Sequence, residues 1–549
     1  MRKFCSNLNG WRGAVLILYM SFVMFSWLIV HADFNGPYVQ KKFYILSALE
    51  VMLAMSICIC PKLLKSAEKL KINPELKNFT YKEKKDFFVC TLLIVFLIFW
   101  IRYLITYPGN FPPDNINQLS QAAFNKFNDH HPVFHTLFAF WLPFKLTFEW
   151  SGSIVCFQII LFSFSLAYMA LTLFEYTGYF YTNFFMVFTL LNPLTLSYAV
   201  TPLKDTSFAI ASIFLMTFAL RICFTNGKWL ESNKNLIFFV IVLTFGTLFR
   251  HNALLFTFPL LFSVSLYVNK KRAFVMLICV LSLIYCIRSP FYKWLEVEMS
   301  HNIAMHNASI ILPGVLSKEP VKIIPSNRQI ESLGLPMSII GNAVKEADDK
   351  LDSDVLQFAY SVASRDVWKK HYNKHIGFNS VKYAKNNSET LSNWYAIERA
   401  GWKKVLLLTA KCFRDAPLAS FRGMFAVIDI VYGRSFSAPY FINPTTTPDL
   451  GYALSVKEIG LTLLRPIFLS IGLIDFVILI FILAKLKFNR LSDWKRFFLV
   501  IPVFTYNFGT MFFLTDREIR FFYYTYTILP LVLLILLRNS KEDNLSPLS

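Results

Sequence analysis

Asp114, Gln118, Asp129, His130, His131 and His135 crowd one polar stretch, residues 107–136, set between two strongly apolar runs. A carboxylate can take the proton of an attacking hydroxyl, imidazoles exchange hydrogen bonds near neutral pH, and amides orient hydroxylated ligands. Farther along, Lys204 adjoins Asp205, Arg250 adjoins His251, and Arg517 and Arg520 flank Glu518. Lysine and arginine suit a phosphate, which they hold by charge-assisted hydrogen bonds while negative charge grows on it. Together these groups match the transfer of a sugar from a lipid phosphate. Asp114 is the expected base, with Gln118 helping to position the acceptor. Lys204, Arg517 and Arg520 are the expected phosphate holders. Asp129, His130, His131, His135 and Arg250 are candidate substrate contacts, and Asp205 is either a further polar contact or a metal ligand.

Each of these residues also has a plain structural use. Aspartates such as Asp114 and Asp205 are favoured helix N-caps. His131 and His135 are four apart, as zinc ligands often are, but Pro132 at a helix start spoils a simple i, i+4 pair. Arginines at helix ends can simply anchor at a membrane interface.

The elements that must position these residues lie in lipid. Of 549 residues, 55% are hydrophobic and only 16% charged, too few charges for the surface of a soluble protein this long. Apolar runs at 11–30, 43–60, 87–105, 153–174, 182–200, 207–224, 236–249, 253–268, 274–287, 466–486, 497–514 and 521–537 predict about twelve transmembrane helices. The net charge of +21 is concentrated in a few turns: Lys62 to Lys85, Lys228 and Lys234, Lys270 to Arg272, and Lys485 to Arg496. If the spans alternate, these turns share one side. That is the positive-inside pattern, so the charge does not mark a nucleic-acid partner. It predicts cytoplasmic termini and an extracytoplasmic site in the cell membrane. The nine cysteines lie mostly in apolar runs and give no disulfide framework.

The chain therefore divides into an N-terminal hairpin with a basic loop (1–86), a transmembrane core (87–288) whose first outer loop is 107–151, an outer region (289–460) and closing spans (461–549). The 133–148 run carries Pro143 and Lys145 and predicts an interfacial or shallowly re-entrant helix. The outer region is nearly balanced in charge and helix-leaning, and 394–431 predicts one or two helices along the headgroups. Glu50, Arg102 and Asp475 fall inside apolar runs, where ionisable groups need partners. Matching depths predict a Glu50–Arg102 pair, with Asp475 nearby or facing a lipid groove.

The order of these features resembles the GT-C membrane glycosyltransferases. Asp114 matches the acid that this family carries in its first large outer loop. The Pro132 helix matches the interfacial helix that follows, Lys204-Asp205 the acid of the next outer turn, and Arg520 with Phe521 to Tyr524 the arginine before the last spans. The resemblance implies an all-α polytopic fold, a polyprenyl-phosphate-linked sugar donor, and a cell-surface glycan, teichoic acid or glycolipid acceptor. It leaves the cofactor open between none and a divalent cation, magnesium or manganese. Two rival readings are a lipid-linked oligosaccharide flippase or other transporter, and a repeat-unit polymerase. No related halves or broken midplane helices support the transporter.

Overall fold

The computed structural model describes residues 12–20, 22, 59–60, 62–69, 79–298, 309–310, 321–322, 333–374, 377–382, 393, 395–432, 471–487, 490–511 and 519–538. These residues are helical apart from turns and one short antiparallel pairing, Ser309–Ile310 with Val321–Lys322. Among the described residues, five helices are long and apolar enough to cross a membrane.

Tyr81–Ile105 (α1) opens on a capping box, in which Thr80 and Glu83 satisfy each other's backbone N–H groups. Pro113–Phe124 (α2) follows, with Pro112 extended at its N-cap and Asn125 left-handed at its C-cap, φ 53°. Val133–Leu146 (α3) is shorter than a crossing and packs Ala139, Phe140 and Phe144 against Leu119 and Ala122 of α2. Both its ends lie on the same side: Lys145 reaches back to the Ala123 carbonyl at 3.4 Å. Residues 136–141 widen into a π turn, since Pro143 lacks an N–H and its ring would clash with a tighter preceding turn.

Gly152–Thr177 (α4) leads back across. The next apolar run forms two pieces, Tyr179–Leu191 (α5) and Pro193–Ala199 (α6), because Pro193 cannot continue the ladder. Asn192 caps the second piece, its side chain accepting from the Leu194 N–H at 2.9 Å. Lys204–Phe224 (α7) is apolar all round and has 89% of its span window buried, so it forms the centre of the bundle. Asn233–Phe249 (α8) and Leu254–Ser265 (α9) follow, then Lys270–Trp294 (α10). Helices α1 and α10 are apolar too but mostly exposed.

Residues 333–432 hold a second core. Gly334–Ala347 (α11), Ser353–Val362 (α12), Arg365–His371 (α13), Tyr395–Asp415 (α14) and Pro417–Tyr432 (α15) pack around Trp368 and Tyr372. Gly423 lets α15 cross α11 closely: a Cβ there would lie 2.7 Å from the Ser338 carbonyl oxygen. The run at 394–431 thus forms two helices, and Gly401 at φ 69° kinks the first. Ile471–Lys485 (α16), Leu491–Met511 (α17) and Tyr523–Leu537 (α18) close the bundle, the last entered through a 3-10 turn, Ile519–Phe522.

The basic turns and the polar loop lie at opposite ends. At one end α1 begins and α4 and α7 finish, joined by Lys84–Glu175 at 3.1 Å and Arg221–Glu175 at 2.8 Å. At the other, α7 and α18 begin and α8 and α17 finish, with Asn252 Nδ2 donating to Thr510 Oγ1 at 2.9 Å. The 11–30 and 43–60 runs fall largely outside the described residues, as does Glu50. Asp475 is fully buried and accepts from Asn507 Nδ2 at 2.9 Å, and Asn507 in turn accepts from Tyr524 and Thr525.

Candidate functional site

Two loops bring the site together. The loop before α2 is pinned by Asn110, whose N–H donates to the Val200 carbonyl at 2.9 Å. Gly109 allows this approach, with φ at +114° and a Cβ position only 2.5 Å from Val155. The turn between α6 and α7 is held by Gln158 of α4. Its amide nitrogen lies 2.9, 3.0 and 3.1 Å from the carbonyls of Tyr198, Ala199 and Thr201. Gln158→Leu is expected to strand those acceptors, lower stability by about 1–3 kcal/mol and loosen Lys204. Thermal unfolding of the purified protein checks this.

Five charged side chains from four segments then meet. Arg520 Nη1 donates to Asp114 Oδ2 at 3.0 Å, and Lys204 Nζ lies 3.7 Å from the same oxygen. Arg520 Nε also lies 3.9 Å from Asp205 Oδ2, so one guanidinium bridges both carboxylates. Arg250 Nη1 meets Asp205 Oδ1 at 2.5 Å and the Phe521 carbonyl at 3.2 Å, its guanidinium stacked over the Phe521 ring. This last pair is nearly sealed, with side-chain exposures of 6% and 1%, whereas Asp114 keeps 31%. Both cation contacts of Asp114 end on Oδ2, and neither engages Oδ1.

The histidines divide by role. Lys204 Nζ donates to His131 Nδ1 at 3.2 Å, which ties the loop to the charge cluster. Gln118 Nε2 donates both to His135 Nδ1 at 2.9 Å and to Thr136 Oγ1 at 3.0 Å. His135 Nε2 therefore carries the proton and donates to Ser207 Oγ at 3.0 Å. His130 stacks near His131, ring centres 4.4 Å apart, and its carbonyl accepts from His251 at 3.4 Å. Asp129 sits at the rim, its N–H donating to the Glu298 carbonyl at 3.0 Å.

Burial pushes the Asp114 carboxyl up, but the charges of Arg520 and Lys204 outweigh it and hold the group well below the usual carboxylate range. Burial, then Lys204, pushes His135 down to about 3. Burial, Lys204 and His130 likewise push His131 well below its ordinary value, against the pull of Asp114. Both rings are thus neutral at physiological pH. The unfolded chain binds a proton at each of these histidines below about pH 6.5, but the folded chain does not. Stability is therefore expected to fall as pH drops from about 6.5 toward 3, by about 1.4 kcal/mol per pH unit for His135, with His131 contributing in the same direction. His135→Gln should flatten that slope by one proton, as read from unfolding midpoints across pH.

The alternative use of Asp114 and Asp205 as N-caps is not found. Both lie in the first turn, after Pro112 and Leu203 at the caps, and their carboxylates go to cations. Arg250 is buried and meets Asp205 on the side away from Asp114. Among the described residues, no set of three His, Cys, Asp or Glu side chains converges on a point that could hold a metal. Arg520 occupies the space between the carboxylates where a divalent cation would bridge them, so these residues do not fit magnesium or manganese. Arg517 lies outside the described residues. Sequence reading did not single out Gln158 or Ser207. Amides and hydroxyls inside helices carry no local signal of a partner far along the chain.

No family model, curated protein or solved structure matches this chain.

Proposed function

We propose that this protein is a GT-C-like membrane glycosyltransferase. It moves a sugar from a polyprenyl-phosphate carrier to a cell-surface glycan, teichoic acid or glycolipid on the outer face. About twelve spans place both termini in the cytoplasm. The observation that carries the reading is the meeting of Asp114, Lys204, Asp205, Arg250 and Arg520 at the end of the bundle away from the basic turns.

In the proposed reaction an acceptor hydroxyl oxygen bonds to the anomeric carbon. The carbon–oxygen bond to phosphate breaks, its electron pair leaves on the phosphate, and the hydroxyl proton goes to Asp114 Oδ1. Arg520 and Lys204 rest on Asp114 at 3.0 and 3.7 Å. When donor phosphate binds, it competes for both cations. Their shift relieves the depression of the Asp114 pKa, so the base becomes stronger only once a leaving group is in place. Arg250 fixes Asp205 in place, and Asp205 in turn orients Arg520.

Two further features support the reading. Half-buried rings of Phe134, Phe138 and Phe245 run together beside His135, with Phe134–Phe245 centres 4.8 Å apart, and offer an apolar track for an isoprenoid tail. Asn115 and Gln118 Oε1 are buried polar groups without protein hydrogen-bond partners among the described residues, places for an ordered water or a ligand hydroxyl. Membranes containing the protein, given labelled polyprenyl-phosphate sugars, should pass label to a surface polymer or glycolipid. Label that crosses the bilayer still attached to its carrier would instead indicate a transporter.

A further inference from the structure

The bundle has a second charged concavity at the end opposite Asp114. It is a cavity of about 260 Å³ between the finish of α7, the start of α17 and the finish of α18. Lys495, Arg496 and Arg538 line it, with Asn226, Ser492 and Tyr267.

Two of its three cations hold helix ends. Arg538 donates to the Cys223 carbonyl at the end of α7 and to Asn226 Oδ1 at 3.2 Å. Arg496 donates to the Arg538 carbonyl at the end of α18 and pairs with Asp493. Asp493 is buried and also accepts from the Lys487 N–H at 2.6 Å, so its charge is enclosed. The third cation, Lys495, stands over the Tyr267 ring at 5.3 Å and pairs with no carboxylate among the described residues. The cavity therefore carries three positive charges against one enclosed negative charge, beside a serine hydroxyl.

We infer that this cavity is a binding site for the phosphate of an anionic ligand at the basic end of the bundle. Lysine, guanidinium and hydroxyl donors on one small concavity match phosphate oxygens. The volume suits a headgroup rather than a larger molecule. Its lip is apolar: Leu491 lines it at 73% exposure and Trp494 stands nearby, so an acyl chain could lie against the helix while the phosphate sits inside. A ring of exposed Lys228, Lys270, Lys271 and Lys487 at the same end raises the local concentration of anions. A phospholipid headgroup and a free phosphate share this chemistry. The same helices carry Lys204 and Asp205, Thr510 and Arg520 at their far ends, so the site joins elements on which the carboxylate cluster depends.

The test uses full-length protein in detergent, with native mass spectrometry reading retained phosphatidylglycerol or phosphatidylcholine. Wild type should retain phosphatidylglycerol preferentially. Lys495→Gln should weaken that retention about fivefold, the loss expected for one lysine at an anionic surface, and Lys495→Arg should restore it. Ser492→Ala serves as the second variant if Lys495→Gln does not fold, with a loss of the same sign. Displacement of the lipid by millimolar inorganic phosphate would identify the phosphate group alone as the ligand. Resistance to displacement would identify the lipid, and either result sustains the site. Equal retention of the two phospholipids, or retention unmoved by Lys495→Gln and Ser492→Ala, overturns it.

Discussion

Asp114→Asn is expected to lower sugar transfer by about a thousandfold, within the range for loss of a positioned general base. The loss should fall on kcat. Asparagine keeps the shape of the side chain but cannot accept the hydroxyl proton. It also no longer neutralises Arg520 and Lys204, which now rest on Asp114 Oδ2. Those cations become more available to the donor phosphate, so KM for the donor should hold or fall. Arg520→Gln should behave differently, raising donor KM and lowering kcat together, since it removes a group that binds phosphate before and during bond breaking. Steady-state transfer to an isolated acceptor, with donor concentration varied, separates the two patterns. Wild-type turnover in Asp114→Asn would remove Asp114 from the chemistry.

Arg250→Ala should have the largest effect on stability, a loss of about 3–5 kcal/mol, because it strands a buried carboxylate. Asp205 is 1% exposed at its side chain and meets Arg250 at 2.5 Å, while Arg520 reaches its other oxygen only at 3.9 Å. Asp205→Ala should cost a comparable amount by stranding Arg250. The double variant Asp205→Ala/Arg250→Ala should lose clearly less than the sum, because neither charge is then left alone. Unfolding midpoints of the purified variants close this cycle. Additive losses would mean that the two side chains do not depend on each other. The double variant should still lose transfer activity, since Arg520 then lacks the carboxylate that orients it.

Several features were legible from residues near one another in the chain. The apolar runs predict helices because each is self-contained: its hydrogen bonds are internal and its length is set by the thickness of lipid. Crowding of lysines into certain turns predicts which ends of the helices lie together, and the structure has those turns at one end and Asp114 at the other. Pro143 and Lys145 mark α3 as too interrupted to cross, and its two ends do return to the same side. Helix α7 reads like any other apolar run, and only the packing around it makes it the buried centre.

Partner choice was decided by the tertiary structure alone. Asp114 and Arg520 are 406 positions apart, and nothing local to either names the other. Asp114 and Asp205 could serve as caps by sequence, but Pro112 and Leu203 take those positions and free both carboxylates for arginines. His131 and His135 have the spacing of a shared metal face. The turn at Pro132 and the widened helix after it send one ring to Lys204 and the other to Gln118 and Ser207. Sequence determined that the chain is helix-rich, apolar over stretches long enough to cross a membrane and polar at one edge, since periodicity, length and charge bias act over short distances. Which carboxylate stays exposed and which is sealed depends on long-range packing, because burial and pairing are properties of the assembled bundle.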